Sequence, residues 1–215
     1  SDEVAVTYFR AAYTPVDYPS EKEWAARLLI EESRSVKCPN IAYHLAGTKK
    51  VQQVLARPGV VERFIKDPAH AAQLRRSFTG LYTLDDTAEG HAAAKLAIAD
   101  PESYVMKPQR EGGGNNIYGS DIPKALSGMT VAERNAYILM DIIRPPPLRN
   151  LMVREGKLIH GEVISELGIY GIWVSEAEVV HLNEAGGYLL RTKAANSHEG
   201  GVAAGFAVLD SPFLV

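Results

Sequence analysis

The run Pro145-Pro146-Pro147 constrains this chain more than any other feature. Consecutive prolines fix φ, remove backbone donors and force an extended connection, so neither a helix nor an inner strand continues through them. The sequence changes character across that break. Ahead of it, Ser20 and Glu23 form a capping box for a helix to Glu32, with Leu28 and Leu29 on its apolar side. Thr48 is placed to cap a short helix that Pro58-Gly59 stops. Asp67-Pro68 opens a helix to about Phe78, residues 88–99 are alanine-rich and helical despite Gly90, and Thr130 with Glu133 forms a second capping box. Residues 4–9, 103–107 and 137–143 read as strands. Beyond the prolines, residues 158–166, 169–174, 179–182 and 188–193 read as four antiparallel strands with turns between them, followed by an apolar run at 206–209. Helices first and strands later predict an α+β fold with antiparallel sheets, and leave room for parallel pairing in an N-terminal α/β segment.

Composition removes several classes. The 215 residues are 46% hydrophobic and 23% charged, which fits a folded globular protein rather than a disordered or collagen-like chain. Their number suits one large domain or two small ones. No apolar run approaches the ~20 residues of a membrane helix. A net charge of −3 gives no electrostatic footprint for nucleic acid or an anionic membrane. Cys38 is the only cysteine, which excludes an internal disulfide and a cysteine zinc site and predicts a cytoplasmic, reducing setting. Beside Pro39 in an apolar context, it is expected to be a small buried hydrophobe. Ser1-Asp2-Glu3 leads straight into strand-like sequence without a basic n-region, so the chain is expected to begin inside a longer protein and to carry no signal peptide.

Two glycine-rich loops carry the chemical signal. Gly112-Gly113-Gly114 follows five residues after Lys107. Glycine lets backbone N–H groups approach an anion, and lysine adds a point charge. The P-loop pattern fails, because Ser120 rather than lysine follows Gly119; the dinucleotide pattern fails at Ile117. With no helix directly behind it, the triplet suits a mobile flap, and a surface loop satisfies the same pattern. Glu111 beside the triplet would repel phosphate unless a cation such as Mg²⁺ lies between them; a solvated glutamate is the alternative. Arg191 and Lys193 share one side of a strand, an anion clamp if that side faces a cleft and surface charge if it faces solvent. The second loop, 199–205, offers N–H groups with little side-chain bulk, for a small ligand or for tight packing. The histidines lack metal spacing, and no Gly-x-Ser-x-Gly elbow is present. The residues alone point to nucleotide-phosphate chemistry with a small anionic substrate.

The same residues carry a family resemblance. Lys107-Pro108-Gln109-Arg110-Glu111-Gly112-Gly113-Gly114-Asn115-Asn116-Ile117-Tyr118-Gly119 resembles the glycine-rich loop of eukaryotic glutathione synthetases. So do residues 45–53, Ile164-Ser165-Glu166-Leu167-Gly168-Ile169, and Leu190-Arg191-Thr192-Lys193 with residues 200–205. The motifs occur in family order, and the chain resembles the C-terminal half of the family's longer chains. The resemblance implies an ATP-grasp-like fold. It places the end of a substrate-binding domain at 1–45, a core segment at 46–80, a lid region at 81–160 and the catalytic core at 161–215. It implies a homodimeric ligase that joins glycine to γ-glutamylcysteine with ATP and Mg²⁺, the rest of the chain supplying further contacts. A nucleotide-binding fragment dependent on that N-terminal half, or a ligase using β-alanine, are the alternatives.

Site residues follow from the same resemblance. Lys107, Arg191, Gly112 and Gly113 are expected to be catalytic. Lys49, Lys107, Pro108, Gln109, Arg110, Glu111, Gly112, Gly113, Gly114, Asn115, Asn116 and Tyr118 are expected to hold ATP, with Glu111 also binding the metal. Met140, Asp141, Ile142 and Ile143 match the strand that holds the adenine, and Glu166, Lys193 and Glu199 fall at further ATP-contact positions. Arg10, Ala11, Ala12, Tyr13, Arg191, Val202 and Ala203 fall at peptide- or glycine-contact positions. Ala11-Ala12 departs from the more polar family pattern, and Asp141 stands in place of a usual glutamate.

Overall fold

A computed structural model describes residues 3–109, 115–197, 200–202 and 205–212. It separates into two compact units, the first running to Ile143 and the second starting at Arg144, immediately ahead of the proline run.

In the first unit, β1 (Val6–Tyr8) precedes α1 (Glu21–Glu32), β2 (Val36–Cys38), α2 (Ile41–Ala46), α3 (Lys49–Ala56) and α4 (Pro68–Arg75). Then come β3 (Leu81–Thr83), α5 (Ala88–Ala99), β4 (Tyr104–Pro108), β5 (Ile117–Tyr118), α6 (Asp121–Gly128), α7 (Val131–Asn135) and β6 (Tyr137–Asp141). The caps act as expected at α1, where Ser20 N–H donates to Glu23 at 2.9 Å, and at α4, where Asp67 accepts from the Ala69 and His70 N–H groups. β1 and β2 pair in parallel, and β3, β6, β4 and β5 form an antiparallel sheet in that order. Its core face carries Met106 and Leu139, packed with Ala93, Ala94 and Ala97 of α5 and Ile122 and Leu126 of α6. Alanines there let α5 lie close to the sheet.

Two expectations are corrected in this unit. Leu28 and Leu29 are 58% and 71% exposed, while Arg27 is buried. The Arg27 guanidinium lies 3.8 Å from the centroid of the Phe9 ring and donates to Glu31 and to the Tyr18 hydroxyl, so an aromatic and polar seat selects the other side of α1. Cys38 is exposed rather than buried, because β2 belongs to a two-stranded sheet and Cys38 shares the exposed side of that strand with Val36.

The second unit is one antiparallel sheet in the order β10-β9-β8-β7, built from β7 (Leu148–Arg154), β8 (Lys157–Glu176), β9 (Val179–Ala194) and β10 (Ala207–Asp210). The four short strands expected after Leu158 are two long ones. Gly168 lies inside the ladder opposite Leu189, and Gly186-Gly187 makes a bulge instead of a turn. Tyr170 pairs with Gly187 and Gly171 with Ala185, leaving Gly186 as the extra residue. Gly187 has φ 131°, and a Cβ on Gly186 would sit 2.5 Å from the Ile172 side chain. Among the described residues no helix is long and apolar enough to cross a membrane.

Candidate functional site

Strand register decides which residues of the first unit share a face. Thr83 pairs with Ile138, which pairs with Lys107; Leu81 pairs with Met140, which pairs with Val105, which pairs with Tyr118. Laterally paired residues point the same way, so Thr83, Lys107, Met140 and Tyr118 lie on the face opposite Met106 and Leu139. Asn116, two residues before Tyr118, donates to its hydroxyl at 3.2 Å.

The N-terminus of α3 is tied to this same face. Thr48 makes no side-chain cap bond, contrary to expectation. Gln109 takes that role from far along the chain, its Oε1 accepting the Lys50 N–H at 2.9 Å, while its own N–H continues the ladder to Ala136 O at 3.2 Å. Lys50 Nζ donates to Thr83 Oγ1 at 3.0 Å and stands 3.9 Å from the Asp85 carboxylate. Lys49 therefore begins a helix whose positive end meets the sheet face that carries Lys107. Thr87 lowers the Asp85 carboxyl below its ordinary value by hydrogen bonding, with smaller help from Thr83 and from the charges of Lys50 and Arg57. Lys50 stands within the 45–53 motif but was given no role from sequence, and Thr83 and Asp85 were not singled out. The one available signal is the doubled lysine, Lys49-Lys50, of which the structure assigns the second to the sheet.

The adenine-strand residues divide between the two faces. Met140 lies with Lys107, but the Asp141 carboxylate lies on the other side, accepting from Gly80 N–H at 3.1 Å and from the Tyr82 hydroxyl at 3.5 Å. The Tyr82 phenol is pushed up, first by burial and then by the Asp141 charge. Asp141 N–H reaches Gly80 O at 3.0 Å and Ile142 N–H reaches Ser103 O at 2.9 Å, so both donors serve the sheet; Ile143 is exposed. Pro108 is buried on the core side. Near the N-terminus, Arg10 and Ala11 are exposed, Ala12 holds φ 68° with its carbonyl receiving the Tyr18 hydroxyl at 2.9 Å, and Tyr13 meets His44 edge-on. A cavity of about 390 Å³ beside Gln53, Arg57, Thr83 and Glu89 contains neither Lys49 nor Lys107.

In the second unit, Glu166, Arg191 and Leu209 form one lateral row and Ile164, Lys193 and Ala207 the next. Arg191 and Lys193 do share one side, as expected, and Glu166 joins them there as the ion-pair partner of Arg191. Thr192 points the other way and is fully buried, at 2.8 Å from Ser165 Oγ and donating to Asp210 at 2.7 Å. That anchor holds the facing of the two cations. Gly200 lies over Lys193, and Gly205 N–H donates to Val202 O at 3.0 Å and Phe206 N–H to Gly201 O at 3.0 Å. A wider concavity of about 610 Å³, along Asn150 and Gly161 of β7 and β8, holds none of these residues.

Arg110, Glu111, Gly112, Gly113, Gly114, Glu199 and Ala203 lie outside the described residues. Among the described residues no three His, Cys, Asp or Glu side chains cluster as a metal site.

A family model described as "Eukaryotic glutathione synthase, ATP binding domain" matches residues 5–214. The chain is 55% identical to the chloroplastic glutathione synthetase of Arabidopsis thaliana, over 99% of its own length and 39% of that protein's. It is 50% identical to the glutathione synthetase of Homo sapiens, over 99% of its own length and 45% of that protein's. A solved structure of a glutathione synthetase-like effector from Globodera pallida, in its apo form, matches with a TM-score of 0.66 at 28% identity, covering 88% of this chain and 39% of that one. The chain thus spans less than half the length of these relatives, and the likeness bears out the α+β, ATP-grasp-like architecture.

Proposed function

The chain belongs to the eukaryotic glutathione synthase family, within its ATP-binding domain, and from that premise we propose that the protein containing it is an ATP-dependent carboxylate–amine ligase. In this reading it joins γ-glutamylcysteine to glycine, giving glutathione, ADP and phosphate. One observation carries the proposal: a single sheet face bears Lys107, Met140 and Tyr118, with the helix that begins at Lys49 seated on it.

A carboxylate is a poor electrophile at neutral pH. Transfer of the γ-phosphoryl group to the γ-glutamylcysteine carboxylate gives an acyl phosphate and ADP. The glycine amine then attacks the carbonyl carbon, and phosphate leaves with the electron pair of the C–O bond. Such chemistry asks for positioning and charge neutralisation more than for covalent help. Lys49 and Lys107 supply positive charge to the nucleotide phosphates, and Met140 offers an apolar surface to the base. Of residues 141–143, the Asp141 carboxylate is already engaged by Gly80 and Tyr82, so a contribution from this position comes through its main chain. Arg191 is suited to a substrate carboxylate, oriented by its pair with Glu166 until that ligand arrives. Val202 and Ala203 would present main-chain groups beside it, and Arg10 with Tyr13 would contact the peptide. Glu166, Lys193 and Glu199 are assigned to the nucleotide by family likeness.

Magnesium suits a donor set of one loop carboxylate, because it takes one or two carboxylates and completes its shell with phosphate oxygens. Glu111 would hold it there, and its charge would offset that on the transferred phosphoryl group. Residues 112–116 would close over the nucleotide and keep water from the acyl phosphate. We further assign a homodimer, an N-terminal half that completes the substrate contacts, and residence in a reducing cytoplasm. The test is a product assay on the full-length protein with Mg²⁺, ATP, γ-glutamylcysteine and glycine. Glutathione and ADP should form in equal amounts, and Lys107→Met should suppress both. ADP release that ignores γ-glutamylcysteine would overturn the ligase reading.

A further inference from the structure

Two adjacent lysines open α3, and the second is tied to the sheet. Lys50 is held at both ends: its main-chain N–H by Gln109 at 2.9 Å, and its Nζ by Thr83 at 3.0 Å with the Asp85 carboxylate 3.9 Å away. Thr83 is only 3% exposed, so this attachment is made on a well-packed part of the sheet. Asp85 is fixed in its turn, its carboxylate receiving the Thr87 hydroxyl at 2.5 Å and its N–H directed at Thr83 Oγ1 at 3.4 Å. Thr87 is also the N-cap of α5. The partners of Lys50 therefore belong to β3, to the turn after it, and to the residue that follows β4. Those are the segments flanking the row Thr83–Ile138–Lys107.

We propose that Lys50 is a positioning residue for the nucleotide site: it pins the first turn of α3 to the sheet and so sets where Lys49 stands relative to Lys107. The proposal rests on the nucleotide-binding reading given above. A side chain that bound phosphate itself would not need a buried threonine hydroxyl and a flanking carboxylate as its partners; a strut does. Lysine suits the task, since its ammonium can serve a hydroxyl and a carboxylate at once. A displaced first turn moves the Lys49 ammonium by roughly the 1 Å scale that is enough to impair catalysis from a distance.

The experiment uses the full-length protein and steady-state kinetics with ATP, γ-glutamylcysteine and glycine. Lys50→Met is expected to raise the KM for ATP about tenfold, while the KM for glycine stays within about twofold. Thr83→Val should reproduce that rise, and the double variant should be no worse than the more impaired single one, because both remove the same strut. Lys50→Arg, which keeps a donor at the end of the chain, should restore most of the ATP affinity. Thermal unfolding midpoints of each variant report whether the fold survives, and binding of a fluorescent ATP analogue gives a reading for any variant too slow to assay. Additive effects of Lys50→Met and Thr83→Val, or a Thr83→Val variant with normal ATP affinity, would overturn the strut and make Lys50 a direct ligand. Equal losses for ATP and glycine would also overturn it. If Lys107→Met leaves ATP affinity intact, it is the nucleotide reading that fails instead.

Discussion

Replacing Gly90 by alanine tests the packing behind the candidate site. Gly90 sits in the first turn of α5, where its N–H donates to Thr87 Oγ1 at 3.1 Å. On helix propensity alone, alanine should gain ~1 kcal/mol over glycine. The structure reverses the sign. A Cβ at position 90 would overlap the carbonyl oxygen of Asp85 and lie 2.8 Å from its nitrogen and 2.9 Å from its Oδ1. Backbone atoms cannot swing aside, so the 85–87 turn has to move or α5 has to lift. Overpacking of this kind costs ~1–3 kcal/mol, which leaves a net destabilisation of up to ~2 kcal/mol once the propensity gain of ~1 kcal/mol is subtracted. Gly128 provides the opposite control at the end of α6, where an added Cβ meets nothing within 4 Å. Gly128→Ala should stabilise by up to ~1 kcal/mol. Urea unfolding of the full-length protein, followed by far-UV circular dichroism, compares the two. Because Asp85 is a partner of Lys50, Gly90→Ala should also raise the KM for ATP. A Gly90→Ala protein more stable than the parent would refute the close approach and the reasoning built on it.

Other consequences are independent of that one. Ala12 holds a left-handed φ of 68°, a conformation that costs a residue with a Cβ ~1–2 kcal/mol, so Ala12→Gly should leave the protein more stable in the same urea assay. Arg75 hydrogen-bonds Glu62 and holds its carboxyl down to about 2. A depressed carboxyl contributes stability that is present above its ordinary value of 4.5 and lost as pH falls through about 2; Glu62→Gln should therefore flatten that part of the acid unfolding curve, and an unchanged curve would deny the pair any role. Glu111→Gln should raise the Mg²⁺ concentration needed for ATP turnover without altering the fold, and normal turnover at ordinary Mg²⁺ would remove Glu111 from the metal. Ala203→Leu with Ala204→Pro should shift amine preference from glycine towards β-alanine, since proline removes an N–H donor and fixes φ; the discrimination at stake is one methylene, worth ~1–3 kcal/mol, and a competition assay reads it.

The legible parts of this chain were those with local causes. Capping boxes at Ser20 and Thr130 and the Asp67-Pro68 start require only neighbours in sequence, and they fall where expected. The proline run marks the change of unit because it acts on its own residues. The features that escaped depend on partners far along the chain. The glycines at 168, 186 and 187 resemble turn signals, but β8 and β9 pair on both sides of them, and a bulge absorbs the extra residue. Thr48 has the chemistry of a cap, yet Gln109 does the capping. Leu28 and Leu29 suit an apolar seat, and the seat offered to α1 is an aromatic ring with a hydroxyl.

The same distinction explains what can be reasoned about the candidate site. Residue type shows that a lysine close to a glycine triplet favours phosphate, and alternation shows that Arg191 and Lys193 share a side. Neither shows which lysine of the Lys49-Lys50 pair is tied to the sheet. That follows from a hydroxyl on β3, a carboxylate in the next turn and an amide after β4, none of them adjacent to Lys49-Lys50 in sequence. The division of Met140 from Asp141 is decided the same way. Alternation separates their side chains, and Gly80 with Tyr82 engages the Asp141 carboxylate on the core side. A change between aspartate and glutamate there alters the fit against Gly80, where an added Cβ would already overlap the carboxylate, and leaves the face shared by Met140 and Lys107 chemically as it was. The tolerance expected at position 141 is therefore a property of its direction, and the sensitivity expected at Lys50 and Thr83, neither of which was assigned a role from sequence, is a property of theirs.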